Sequence, residues 1–346
     1  EGIIASVLSV LNRQDRSYDS FSLYIGIPVC PSICSYCSFS SGPLSVWKDR
    51  MDDYVSSLCT ELKLACERVC GMELTSVYIG GGTPTVLTLP QMERLLTAVG
   101  TYFLSGSGRN VEYTLEAGRA DTITRDKLIA AKEYGVNRIS VNPQTMQQKT
   151  LDLVGRKHTV QDTVERYNMA RELGFDNINM DLIAGLPGED LTDMEDTLSK
   201  VISLEPDSLT VHALAIKRAA KMNSQQVAES EVEKMIEAAA KAADEAGLSP
   251  YYLYRQKSIA GNFENVGYAK SGFECIYNIM IMEEVQHIIA CGAGASGKIL
   301  LKEPVPNPDR GSSVMTEILH TENPKDINEY IRKFKSYLDN DSVHGL

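Results

Sequence analysis

Three cysteines crowd the segment CPSICSYCSFS, at Cys30, Cys34 and Cys37, directly after the apolar run LYIGIPV. Thiols this close together read as a ligand set. A structural zinc site normally closes with four Cys or His ligands, and none of the five histidines lies nearby in sequence. A [4Fe–4S] cluster is the other solution: three thiolates hold three irons, and the fourth iron keeps an open position. The bland alternative is three unliganded thiols in a surface loop, which would oxidise readily.

Such a loop needs a scaffold, and β-type runs alternate with helical ones along most of the chain. Strands are expected at LYIGI (23–27), SVYIG (76–80), VEYTLE (111–116), RISVN (138–142), NINMDLI (177–183) and SLTVHAL (208–214). Amphipathic segments such as DDYVSSLCTELKLACERV and LPQMERLLTAVGTYFL lie between them. Six such units imply parallel strands with right-handed crossovers, and so a partial (β/α)6 TIM-type barrel over residues 22–247. The alternation stops after the Ala- and Glu-rich helix near 225–246, so residues 248–346 are expected to form a small mixed α/β appendage ending in a helix at 324–338. Residues 1–21 read as an amino-terminal extension; the chain opens with Glu-Gly rather than Met, and an upstream segment is expected.

In barrels of this kind the chemistry sits at the carboxyl ends of the strands, where the cysteine loop falls. Gly80, Gly81, Gly82 and Thr83 follow the second strand, and glycines there let the backbone approach a ligand, or simply make a tight turn. Glu116 ends the third strand, Gln144 follows the fourth and Asp181 lies in the fifth, all near the same edge. A carboxylate and an amide there suit ribose hydroxyls, although each residue singly would more often be a cap or an ion-pair partner.

The Cys-x-x-x-Cys-x-x-Cys loop after a first barrel strand resembles the radical S-adenosylmethionine (SAM) superfamily. YIGIPVCPSICSYCSF, IGGGTPTVL, LEAGR, NPQT, GRKHT and DLIAGLPGE occur in the order seen in oxygen-independent coproporphyrinogen III oxidases and their relatives. YYLYRQK, GNFENVGYAK, ECIYN and ACGAGASGK resemble the HemZ-like branch of that group. The resemblance implies that SAM closes the open iron of the cluster. It further implies that Gly81, Gly82 and Thr83 receive the SAM amino group, Gln144 and Asp181 the ribose, and Arg156 the methionyl carboxylate. Tyr24 and Glu116 would support these contacts, and Tyr36 would pack near adenine. A one-electron reductant such as flavodoxin or ferredoxin would be required. The implied substrate is a tetrapyrrole, coproporphyrinogen III or haem, and the implied reaction is oxidative decarboxylation of propionates. Two departures bear on that activity. The oxidases carry a further Cys after the third, where this chain has Ser38, Phe39 and Ser40, and they use an amino-terminal segment not seen here. Alternatives are a haem-modifying enzyme or a haem chaperone of the HemW type, although the His-Asn and Tyr-Trp signature of the latter is replaced by ECIYN.

Composition narrows the partners. The chain has 34 basic against 46 acidic residues, a formal net charge of −12, which argues against nonspecific nucleic-acid binding. No apolar stretch approaches a membrane span and no secretory leader is visible, so a cytoplasmic location is expected. Cys59, Cys66 and Cys70 fall at helical spacing and read as a packing face. Cys275 and Cys291 are isolated, His212 ends the sixth strand either as a substrate contact or a core histidine, and SEVEKMIEAAAKAADEAG reads as a solvated helix face. A polyanionic tetrapyrrole cannot be attracted by this net charge, so a local cationic cluster is required. Lys217 and Arg218, after the sixth strand, with Arg255 and Lys257 from YYLYRQK, are the candidates.

Overall fold

The structure, a computed structural model, describes residues 7, 18–37, 42–105, 111–214, 227–254, 265–308 and 311–341. Six β/α units run in order through the first two thirds: β1 (Ser20–Ile27), α1 (Met51–Arg68), β2 (Glu73–Gly81), α2 (Leu89–Val99), β3 (Glu112–Glu116), α3 (Arg125–Glu133), β4 (Arg138–Ser140), α4 (Val160–Glu172), β5 (Ile178–Ala184), α5 (Leu191–Ile202), β6 (Ser208–Ala213) and α6 (Glu229–Glu245). The six strands pair in parallel, each beside its neighbour in sequence. They are buried nearly end to end, as strands covered on both faces must be.

The helices start where the chain supplies acceptors for their free N–H groups. Thr88 with Gln91, Thr159 with Asp162 and Asp190 with Asp193 form reciprocal capping boxes on α2, α4 and α5. In α1 the buried positions Tyr54, Leu58, Leu62 and Ala65 recur every three or four residues and press one face on the sheet. Cys59 and Cys66 pack against this core, and the Cys66 thiol donates to the Tyr102 carbonyl at 2.9 Å. Cys70 lies beyond the end of α1 and is exposed, so the three cysteines do not share one buried face.

Residues beyond 248 extend the same sheet at both edges. On one side β8 (Asn265–Ala269) pairs antiparallel with β6 and carries β7 (Ser249–Tyr254). On the other, β9 (His287–Cys291) pairs in parallel with β1, and the hairpin β10 (Ser296–Asn307) and β11 (Gly311–Glu322) follows it. The strand order is therefore β11-β10-β9-β1-β2-β3-β4-β5-β6-β8-β7, one eleven-stranded sheet. Helix α7 (Ile276–Glu283) contacts β2 and β7, so it spans the gap that an incomplete barrel leaves. Its first N–H groups, of Ile276 and Tyr277, donate to the buried Glu112 carboxylate of β3. The last helix, α8 (Ile327–Asp341), docks on α1. Buried Glu61 of α1 fastens this joint, accepting from Gly292 N–H at 2.7 Å, Asn323 Nδ2 at 2.7 Å and Tyr330 Oη at 2.6 Å. Among the described residues no helix is long and apolar enough to cross a membrane.

Candidate active site

The cysteine loop leaves β1 as a short ladder, Val29–Cys30 beside Gly42–Pro43, and is held by the carbonyls of Val154 and Gly155. Ser35 N–H donates to the Val154 carbonyl at 3.1 Å, and the Ser32 hydroxyl to the Gly155 carbonyl at 3.3 Å. Cys30, Cys34 and Cys37 are half-buried and line one cavity of about 590 Å³. Donors point at two of their sulfurs: Thr83 Oγ1 lies 3.4 Å from Cys30 Sγ, and Arg119 Nη1 lies 3.5 Å from Cys34 Sγ. Such donors suit thiolates. Among the described residues no three His, Cys, Asp or Glu side chains converge on one ion position. A cubane makes a different demand, because each thiolate binds a separate iron, and three cavity-lining thiols with donors behind them fit it.

The glycine turn has a specific cause. A Cβ on Gly82 would stand 2.6 Å from the Val29 carbonyl oxygen, and Gly81 holds a φ of +107°. Gly82 N–H donates to Ile27 O at 2.7 Å and Thr83 N–H to Val29 O at 2.9 Å. The close backbone approach is thus to the stem of the cysteine loop, which aligns Thr83 with Cys30.

Around the rim, β3 presents Glu116, which accepts from Tyr78 Oη at 2.5 Å. Burial, with the charge of Asp181, pushes the Glu116 carboxyl up to about 7 against the hydrogen bonds it receives. Asp181 of β5 goes the other way: burial would raise it, but His212, Asn179 and Thr210 together hold it below the ordinary carboxylate range. His212 Nε2 stands 3.8 Å from Asp181 Oδ2. Gln144 adopts a left-handed backbone, φ +67°, as its N–H donates to Asp181 O and its carbonyl accepts from Ile183 N–H, each at 2.9 Å. Non-glycine residues held this way cluster at functional sites. Arg156, nearly buried, spends its Nη atoms on Tyr36 Oη at 3.0 Å and on the Gly118 and Asn142 carbonyls at 2.7 Å, leaving Nε buried without a partner.

The cavity therefore brings together Tyr24, Tyr36, Gly81, Gly82, Thr83, Glu116, Gln144, Arg156 and Asp181 with the three cysteines. His212 also lines it. Lys217, Arg218, Arg255 and Lys257 lie outside the described residues, as do Ser38, Phe39 and Ser40.

Several further lining residues were not singled out in the sequence. Tyr78 and Tyr277 stack with Tyr24 as a wall with ring centroids 4.6–6.2 Å apart, and Tyr252, Tyr254 and Asn278 extend the lining. Arg138, the first residue of β4, is 2% exposed yet lines the cavity. Its Nη2 donates to Ser208 Oγ at 3.1 Å, and Nε has no partner among the described residues. Arg119 and Lys298 are paired with Asp121 and Glu284, and Arg156 is held by Tyr36 and two carbonyls; Arg138 has no carboxylate within ion-pair distance among the described residues. A strand that opens on Arg facing inward was the available signal.

Comparison with known proteins identifies the family. The radical SAM superfamily profile matches residues 24–201. The oxygen-independent coproporphyrinogen-III oxidase-like protein HemZ of Bacillus subtilis is 43% identical over 332 residues, which are 94% of this chain and 64% of that protein. The chain thus spans under two thirds of that relative's length. The heme chaperone HemW of Bacillus subtilis is 31% identical over 282 residues, 80% of this chain and 71% of that one. Among solved structures, coproporphyrinogen III oxidase (HemN) from Escherichia coli superposes with a TM-score of 0.73 at 20% identity, covering 96% of this chain and 72% of that chain, a likeness of fold.

Proposed function

The chain belongs to the radical SAM superfamily, in the group related to coproporphyrinogen oxidases and HemW chaperones, and on that premise we propose that it oxidises a propionate-bearing tetrapyrrole. The family's [4Fe–4S] cluster and SAM supply, when bound, a radical able to take a hydrogen atom from carbon. Cys30, Cys34 and Cys37 would hold the cluster, and Glu116, Gln144 and Asp181 the polar groups of SAM. The tyrosine wall offers a flat, water-excluding surface of the kind a macrocycle stacks on. Loss of a hydrogen atom from the β-carbon to that radical, then of carbon dioxide and of one electron to an external one-electron acceptor, would turn a propionate into a vinyl group.

The observation that carries this reading is the cavity itself: the loop thiols, the Glu116 and Asp181 carboxylates and an aromatic wall share it with Arg138, a buried cation lacking a carboxylate partner among the described residues. A substrate carboxylate would complete that arginine, and a two-point contact would fix the β-carbon beside it.

The test is anaerobic incubation of the cluster-loaded protein, in its full-length chain, with SAM, a one-electron reductant such as flavodoxin, and coproporphyrinogen III or haem, followed by mass spectrometry. Formation of 5′-deoxyadenosine together with loss of carbon dioxide from the tetrapyrrole supports the proposal. Stoichiometric haem binding with no change in haem mass would replace it with the chaperone reading, which the HemW similarity favours. Binding of neither tetrapyrrole would overturn both.

A further inference from the structure

Behind the cysteine loop lies a charged assembly that neither the cavity's polar rim nor the substrate reading uses. Arg119, which follows β3, is 3% exposed. Its Nη1 donates to Cys34 Sγ at 3.5 Å and to the Ser32 carbonyl at 3.4 Å, and its Nη2 donates to Ser32 Oγ at 3.2 Å. The same guanidinium grips Asp121 at two points, Nε to Oδ1 and Nη2 to Oδ2, each at 3.0 Å. His158, buried beneath the loop, closes the row with Nδ1 3.7 Å from Asp121 Oδ1. The row thus runs from a loop thiol through a cation to a carboxylate and an imidazole.

We propose that Arg119 is a positioning residue that tunes the electron affinity of a cluster bound at Cys34, with Asp121 as its partial counterweight. This rests on the reading that Cys30, Cys34 and Cys37 hold that cluster. Reduction adds negative charge, part of which falls on the ligand sulfurs, so a cation donating to one of them favours the reduced state. Asp121 opposes that effect from farther away, since the guanidinium stands between it and the sulfur. The two charges therefore act with opposite sign and unequal weight. A plain clamp, in which Arg119 merely ties Ser32 down, gives no such opposition.

The experiment is a redox titration of the reconstituted full-length protein without SAM, following the paramagnetic signal of the reduced cluster, with iron content measured in parallel. A charge-assisted hydrogen bond is worth on the order of tenfold in an equilibrium. At a fixed applied potential, Arg119→Gln should accordingly lower the reduced-to-oxidised ratio about tenfold, a shift of about 59 mV for a one-electron couple. Asp121→Asn should raise the ratio. The double variant, which removes both charges and guards against an unpaired buried ion, should fall between Arg119→Gln and the parent. That ordering, at full iron content, supports the inference. Single variants that shift the ratio the same way, or leave it within twofold of the parent, would overturn it while the cluster reading stands. A parent that binds no iron would overturn the cluster reading and this inference together.

Discussion

Replacing Gln144 by Gly and, separately, by Ala divides the role of its side chain from the cost of its backbone. The residue sits at φ +67°, tied on both sides to β5 through Asp181 O and Ile183 N–H, so its backbone cannot relax without breaking that bridge. Holding a side-chain-bearing residue in this region costs roughly 1–2 kcal/mol. Glycine avoids that cost but forfeits about 0.4–1 kcal/mol through the freedom it adds to the unfolded chain. The Gly variant should thus be more stable than the Ala variant by about 1 kcal/mol, a difference of roughly 1–2 °C in melting temperature for a chain this long. Both variants lack the amide, and losing one hydrogen bond of about 0.5–1.5 kcal/mol should weaken SAM binding roughly 2- to 12-fold in each. Anaerobic calorimetry of SAM binding and thermal melts of the same preparations give the two readouts. An Ala variant that melts above the Gly variant would refute the strained backbone. Parental SAM affinity in both would refute the assignment of the side chain.

Replacing any one of Cys30, Cys34 and Cys37 by Ala should leave the far-ultraviolet dichroism unchanged while abolishing the reduced cluster's paramagnetic signal; an unchanged signal in all three would sink the ligand assignment. Glu61→Ala strands three buried donors, Gly292 N–H, Asn323 Nδ2 and Tyr330 Oη, and should cost about 3–6 kcal/mol in urea unfolding. A loss under about 1 kcal/mol would mean that the joint between α1 and α8 contributes little. Glu116, lifted to about 7 in the folded chain, binds a proton there more readily than in the unfolded chain. Its contribution to stability is therefore full below the ordinary glutamate range near pH 4.3 and is lost as pH rises through about 7. In the protein without SAM, Glu116→Gln should accordingly flatten the stability profile between about pH 4 and 7, and an unaltered slope there would contradict the burial argument.

Much of the site was legible because its signals are local. The cysteine spacing, the glycine turn, Glu116 at the end of its strand and Asp181 within its own each lie in or within a few residues of a strand that announces itself by apolar composition. The turn's physical reason was not legible, since the neighbour crowding Gly82 is Val29, some fifty positions away. Pairing across the sheet hid still more. Nothing in HIIAC signals that β9 will lie against β1, and nothing in ECIYNIMIME tells that its helix will span the barrel's gap with Tyr277 stacked on Tyr78. RISVN reads as a strand, but the paired segment stops at Ser140, because the chain must then turn Gln144 inward. Arg119 stood in plain view within LEAGR, and only the fold brings it to Cys34.

The pairing of β1 with β9 also imposes an order on events during synthesis. Phe21 lies opposite His287, so the outer edge of the first strand stays without its parallel partner until more than 260 further residues have emerged. At translation rates of about 5–20 residues per second, that is a wait on the order of ten to fifty seconds. Throughout it, a strand rich in aliphatic and aromatic side chains shows unsatisfied backbone groups along one side, the arrangement that invites pairing with another nascent chain. The cysteine loop leaves from the end of that strand, so the parallel partner beside its stem is in place only once residues 287–291 have emerged. A ribosome stalled before residue 287 would display the cysteine loop without that partner strand beside its stem.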